Sequence, residues 1–253
     1  MSPDLQFGGG ASVGARRRQE DAWETRALPR DENGVRLVAV VADGLGGHPG
    51  GDQASRTACD GFLAAFPGAS GSPRERLREA LQSANAQLRA AIEASPELWG
   101  MGTTLVAACF HAGGCDWISV GDSFLFHYRS GRIRRVNPLH TVGAELDERA
   151  RHGEITEAEA AADPERPLIT SVVMGLSLEE VAAGSMRLEP DDLVILATDG
   201  VATLGEDGIA SVCGEQRGAG AEEVATAIIR RIEEIGSWNQ DNATVVVVRQ
   251  PRR

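Results

Sequence analysis

Four aspartates stand at the ends of apolar, β-branched runs. Residues 35–42 (VRLVAVVA) lead into Asp43-Gly44, residues 117–120 into Gly121-Asp122-Ser123, and residues 193–198 into Asp199-Gly200, while Asp241-Asn242 immediately precedes residues 243–248. Glu20-Asp21, just before Ala22-Trp23, makes a fifth position of the same kind. One aspartate at a strand end is ordinary turn chemistry. A series is different, because strands of one packed sandwich share their ends and carboxylates brought together there repel unless cations neutralise them. Oxygen donors without paired His or Cys suit Mg²⁺ or Mn²⁺, not zinc. The glycine after Asp43 allows close backbone approach, so the Gly44 carbonyl is a candidate ligand as well. Two such cations, about 3.5–4 Å apart, form a clamp for phosphoryl displacement by water, with no covalent enzyme intermediate.

Other hydrolytic and transfer chemistries are missing their parts. All 25 cationic residues are Arg and no Lys occurs, which excludes a lysine Schiff base and a P-loop lysine. No cysteine is followed six positions later by Arg, so the loop of a cysteine-nucleophile phosphatase is missing too. Cys59, Cys109, Cys115 and Cys213 are scattered and form no C-x-x-C pair, as expected of reduced thiols in a cytosol. A net charge of −12 argues against nucleic-acid and anionic-membrane partners, with a local basic run at Arg16-Arg17-Arg18. Residues 1–14 carry no basic segment followed by an apolar one, and no apolar run is long enough to span a bilayer, so a cytoplasmic protein is expected.

The elements that must position the acids are short. The apolar runs at 35–42, 103–110, 117–120, 193–197 and 244–248 read as strands, and Asn33-Gly34 and Ser130-Gly131 as hairpin turns, which makes the sheets largely antiparallel. Ser72-Pro73-Arg74-Glu75 is an N-cap with a capping box, after which Leu77, Leu81, Ala84, Leu88 and Ile92 repeat at helical spacing. Val224, Ile228, Ile232 and Ile235 mark a second helix, and residues 52–66 a third. Hairpins with helices on the outer faces predict a layered α/β sandwich. Residues 149–167 are polar, with a capping box at Thr156 and Glu159, and read as a helical excursion. No repeat or linker divides the chain, so one domain over residues 1–253 is expected.

The ordered motifs resemble the bacterial branch of the metal-dependent protein phosphatases, the protein phosphatase 2C (PPM) family, over nearly the whole chain. They are Gly14-Ala15-Arg16-Arg17-Arg18-Gln19-Glu20-Asp21, Asp43-Gly44-Leu45-Gly46-Gly47-His48 with Gly51-Asp52-Gln53-Ala54-Ser55, Gly102-Thr103-Thr104, Gly121-Asp122-Ser123, Asp199-Gly200 and Asp241-Asn242-Ala243-Thr244. The resemblance implies an αββα sandwich of two antiparallel sheets flanked by helix pairs. It also implies hydrolysis of phosphoserine and phosphothreonine on proteins with two Mn²⁺ or Mg²⁺ ions and a weaker third. Asp43 would bridge the two metals, Asp199 and Asp241 complete one site, and Gly44 bind the other. Glu20 and Asp21 would act directly or through water, and Asp122 with Asp199 would hold the third ion. Arg16 would hold the substrate phosphate, while Arg17 and Arg18 read as a solvated face. His48 is either structural or the proton donor to the leaving oxygen. His111, His127, His140 and His152 read as structural.

Residues 142–167 correspond to the flap beside the cleft. A cognate serine/threonine kinase and a monomeric state are expected. Gln19, Phe124, Leu139-His140-Thr141, Ser171 and Thr203 depart from the common family pattern. Two alternatives stand beside this reading: a catalytically silent binding module with the same fold, and a hydrolase of small phosphoesters. Retention of Asp43, Asp199 and Asp241 argues against the first.

Overall fold

In the computed structural model, which describes residues 5–29, 33–45 and 50–251, the strands form two five-stranded sheets, antiparallel throughout. One orders β1 (Gln6–Ser12), β10 (Ala243–Arg249), β9 (Leu193–Ala197), β6 (Phe124–Arg129) and β7 (Arg132–Arg135). The other orders β2 (Asp21–Ala27), β3 (Leu37–Asp43), β4 (Leu105–His111), β5 (Gly114–Val120) and β8 (Ala182–Met186).

The period of two along each central strand explains the layers. On β3, Leu37, Ala39 and Val41 face the opposite sheet, whereas Val38, Val40 and Ala42 face α1 (Gly51–Ala65) and α2 (Pro73–Ala94). On β10, Val246 and Val248 point inward, and Val245 and Val247 pack under α5 (Gly205–Glu215) and α6 (Ala221–Ile235). Both faces of these strands are buried, which is why they read as unbroken apolar runs and not as alternation. The result is the αββα sandwich. Helix α2 starts at the anticipated Ser72 cap, whose side chain accepts from Glu75 N while Glu75 caps the Ser72 amide in return. It buries Leu77, Leu81, Ala84 and Leu88, each leucine stabilising by about 1.5–3 kcal/mol.

Two strands escape the sequence pattern because close packing selects small residues there. A Cβ on Gly8 of β1 would lie 2.4 Å from Glu222 Cα of α6, and one on Gly9 would lie 2.8 Å from the Trp23 ring. On β8, Gly184 makes room for Trp117 in the same way. Helix α5 is equally unannounced. The Ser130-Gly131 turn is the expected tight hairpin, with Arg129 opposite Arg132 and both turn residues at positive φ. Asn33-Gly34 is not a tight turn. The β2–β3 ladder gains one further backbone bond, Leu28 N–H to Arg36 O (2.8 Å), and the two residues lie within the longer loop beyond it.

Between β7 and β8 the chain forms α3 (Val142–Arg151) and α4 (Glu157–Ala162), the latter capped by Thr156 and Glu159 as anticipated. Arg166 ties them down, with both terminal nitrogens on the Asp147 carboxylate (2.8 and 3.0 Å) and one also on Ala160 O. The four cysteines are buried and unpaired, and burial pushes the Cys109 and Cys213 thiols up to about 12. No helix among the described residues is long and apolar enough to cross a membrane.

Candidate metal centre

The register of both sheets carries the acids to one end of the sandwich. Asp21 opens β2 directly opposite Asp43, which closes β3. In the other sheet Phe124 and Val245 both flank Ala197, so the Gly121-Asp122 turn before β6, Asp199 after β9 and Asp241 before β10 converge on the same rim. Asp199 starts a short 3-10 turn that runs to Thr203.

Thr198 joins the two halves. Its hydroxyl donates to Asp21 Oδ2 (2.8 Å) and accepts from the Thr244 amide (2.9 Å), linking β9 and β10 of one sheet to β2 of the other. Asp43 is fixed through its backbone, its N–H donating to Thr104 Oγ1 (3.1 Å) and its carbonyl accepting from the Thr103 hydroxyl (2.7 Å) and the Thr104 amide (2.9 Å). Gly44 donates to Glu20 O (3.1 Å), and a Cβ there would fall 2.1 Å from Gly51 O, so only glycine fits between β2 and the start of α1. The Glu20 carboxylate also lies against Gly51, beside Gly44.

A second clamp holds the loop that carries Arg16. The Asn242 side chain accepts from Glu20 N (2.8 Å) and donates to Val13 O (2.8 Å) and Arg18 O (2.9 Å). Gln19, at a position where the family commonly has Asn, accepts from Asp21 N (3.0 Å) and donates to Ser12 O (3.2 Å). His140 plays a comparable part for Asp122, since its Nδ1 accepts from Gly121 N (3.1 Å) and its own amide donates to Gly121 O. Burial lowers the His140 pKa and keeps the ring neutral, as an acceptor must be. Ser171 exchanges hydrogen bonds with the Glu180 backbone, closing a small loop.

The electrostatics are those of carboxylates short of counter-charge. Burial, and then the charges of Asp21, Asp199, Asp122 and Asp241, push Asp43 well above the usual carboxylate range. Asp21 is pushed up to about 6 by burial, against the pull of the Thr244 and Thr198 side chains, and Asp122 to about 6 by burial and Asp199. Asp199 is raised by burial and by Asp241. One oxygen of Asp21, Oδ1, is cut off from solvent and has no hydrogen-bond partner.

Arg16 reaches this group by pairing with Asp241, Nη2 to Oδ2 at 2.5 Å, with half of the arginine side chain exposed. Among the described residues no three His, Cys, Asp or Glu side chains close into a ready-made metal cage. Arg16 occupies one oxygen of Asp241. Hard divalent cations fit the set: all-oxygen donors, an orphaned carboxylate oxygen, and protonation that such ions would displace. Asp21, Asp43, Asp122, Asp199, Asp241, Glu20, Gly44 and Arg16 therefore share one region. His48 lies outside the described residues. Sequence reasoning missed Thr198 and Asn242, although each is a polar residue directly beside a singled-out aspartate, and read His140 as structural, the role it has in holding the Gly121 turn.

Known proteins share this fold. The protein phosphatase 2C family model matches residues 13–234. The serine/threonine protein phosphatase PstP of Mycobacterium tuberculosis is 32% identical over 247 residues, covering 89% of this chain and 44% of PstP, so the chain spans less than half of that relative. The serine/threonine phosphatase Stp of Listeria welshimeri is 28% identical over 217 residues, with 83% of each chain covered. Among solved structures, Mycobacterium tuberculosis PstP superposes with a TM-score of 0.80 at 26% identity, covering 98% of this chain and 99% of that one. The PstP catalytic domain in complex with two manganese ions gives 0.77 at 25% identity, with the same coverage. With the family model matching residues 13–234 and the fold shared over nearly the whole chain, the chain belongs to the protein phosphatase 2C family.

Proposed function

We propose that the chain is a metal-dependent phosphatase that hydrolyses phosphoserine and phosphothreonine on proteins and opposes a bacterial serine/threonine kinase. The observation that carries this reading is the meeting of five aspartates from both sheets at one rim, four of them with raised pKa, beside a half-exposed arginine. Two bound Mn²⁺ or Mg²⁺ ions would supply an activated water and positive charge at the phosphoryl group. Asp43 would bridge them, Asp199 and Asp241 would complete one site, and the Gly44 carbonyl would serve the other, with Glu20 and Asp21 acting directly or through water. Asp122 and Asp199 would hold a weaker third ion.

The chain's own contribution to phosphate recognition is Arg16, whose planar fork suits two phosphate oxygens at once and which leaves Asp241 to do so. Thr198 and Asn242 hold Asp21 and the Arg16 loop in register. His48 is the proposed donor to the leaving oxygen, and residues 142–167 the flap that shapes substrate choice within a single domain. A cytoplasmic monomer is part of the same reading.

The test is hydrolysis of phosphopeptides and p-nitrophenyl phosphate with Mn²⁺, with EDTA, and in Asp199→Asn. Activity that survives both chelation and substitution overturns the mechanism. Inactivity of the intact protein with metal, across several phosphopeptides, favours the silent binding module. A preference for small phosphoesters over phosphopeptides favours the small-molecule hydrolase.

A further inference from the structure

At the end of the sandwich opposite the acids, a cavity of about 380 Å³ opens between the β6–β7 hairpin, the turn before β9 and the C-terminal end of α5. The length of β10 separates the two ends, roughly 25 Å from Asp241 to Arg249 at ~3.3 Å per residue. Arg249 continues the face on which Val245 and Val247 pack beneath α5 and α6. It is only 8% exposed, and its Nε is sealed from solvent with no hydrogen-bond partner. Arg217, Tyr128 and Cys213 line the same cavity, and both arginines lie close enough to influence the Tyr128 hydroxyl.

The other charges of the cavity are already matched. Arg129 places Nε and Nη2 on the Asp192 carboxylate (2.8 and 2.6 Å) and Nη1 on Glu189 (2.8 Å), and His127 also meets Asp192. Asp191 has a partner of its own. Arg217 and Arg249 are left, forming no ion pair with any described residue. Taking the Arg249 guanidinium out of water without a counter-charge is costly, and with the exposed Arg217 facing the same cavity the two define a place for an anion.

We propose that this cavity is a second phosphate site, where Arg249 and Arg217 grip the oxygens of inorganic phosphate or a phosphate monoester and the Tyr128 hydroxyl adds a third donor. Two uncommitted guanidiniums match a dianion better than a singly charged carboxylate, and their forked donors suit its oxygens. The site lies away from the acidic rim and does not depend on the hydrolytic reading.

Metal-free protein, held in EDTA, is titrated with inorganic phosphate and then phosphoserine while backbone amides are followed by NMR, with acetate as the comparison anion. The expected result is saturable shifts at the Gly131, Gly214 and Gly218 amides that line the cavity, and a Kd raised at least tenfold in Arg217→Gln. That position is exposed, so the variant folds even where Arg249→Gln does not, and its hydrolysis of p-nitrophenyl phosphate stays at the parent rate. Tighter binding of phosphoserine identifies a phosphorylated chain as the ligand, and binding of inorganic phosphate alone identifies the free ion. Shifts confined to the Arg16 region, equal saturation by acetate, or an unchanged Kd in Arg217→Gln overturns the proposal.

Discussion

Asp21 and Asp43 stand directly opposite one another across the β2–β3 ladder. Side chains in that relation have Cβ atoms about 4.5–5.5 Å apart, and like charges so placed destabilise a sheet. Among the described residues neither has a basic ion-pair partner, and Asp21 Oδ1 has no hydrogen bond. The fold thus keeps a locally unfavourable pair, and its neighbours Asp122, Asp199 and Asp241 add to the cost.

That cost depends on pH. Asp122 titrates at about 6 in the folded chain against 3.8 as its ordinary value, so the folded state binds this proton more tightly than the unfolded state does. The stabilisation it brings is present at low pH and is lost as pH rises from about 4 to about 6. Asp122→Asn, which mimics the protonated acid, should match its parent at pH 4 in EDTA and exceed it by about 3 kcal/mol at pH 7. Saturating Mn²⁺, which holds the parent's carboxylates ionised, should remove that advantage. Urea unfolding across this range checks both, and a difference independent of pH would refute the assignment.

The Thr198 hydroxyl donates to the Asp21 carboxylate and also accepts from the Thr244 amide. Thr198→Val keeps the shape and removes both bonds. Leaving those buried groups unpaired should cost about 1–3 kcal/mol. Freeing Asp21 to turn should weaken Mn²⁺ activation by about 10–100-fold, the usual effect of losing a group that orients a metal ligand. Thermal melts in EDTA and Mn²⁺ titration of activity measure the two effects separately. An unchanged Mn²⁺ dependence would show that Asp21 does not serve the metal.

Arg16 pairs with Asp241, whereas Arg17 and Arg18 are exposed. Arg16→Ala should lower kcat/KM for p-nitrophenyl phosphate by about 10–100-fold, the equivalent of one or two charge-assisted hydrogen bonds. Its half-saturating Mn²⁺ should stay level or fall, because Asp241 is released. Arg17→Ala should remain within about twofold of the parent, as surface substitutions do. Equal losses in the two variants would mean that the run acts only as a diffuse positive patch.

Much of this centre was legible in the sequence, because a strand that ends in an aspartate announces both its element and its end, as Asp43 and Asp199 do. The two buried faces of β3 and β10 were legible for a related reason, since unbroken β-branched runs leave little alternative. Gly8, Gly9 and Gly184 hid their strands, because what selects them is the closeness of Glu222, Trp23 and Trp117, contacts that no local pattern encodes. The supporting polar residues were hidden by distance along the chain: Thr198 and Asp21 are 177 residues apart, and Asn242 and Glu20 are 222 apart. Only the closed sandwich puts them side by side. Asn33-Gly34 misled in the opposite direction, since a strong local turn signal was absorbed into a longer loop once the β2–β3 ladder extended to Leu28 and Arg36.

Asn242 makes the most demanding case. It is 4% exposed, and its side chain spends its oxygen on Glu20 N and its nitrogen on Val13 O and Arg18 O, so it closes the loop that presents Arg16 against the base of β10. Asn242→Ala leaves one amide and two carbonyls to find other partners, and a loss of about 2–4 kcal/mol is expected if each unmet group costs its usual ~1–3 kcal/mol and water recovers part of it. Because the loop carries Arg16 and Glu20 together, KM for p-nitrophenyl phosphate and half-saturating Mn²⁺ should rise in parallel. Asn242→Asp keeps the acceptor for Glu20 N and loses both donated bonds, so it should retain metal affinity better than it retains substrate affinity. Urea unfolding together with steady-state kinetics at several Mn²⁺ concentrations separates these outcomes. If Asn242→Ala lowers stability while KM and Mn²⁺ dependence stay fixed, the clamp supports the fold and does not set the site.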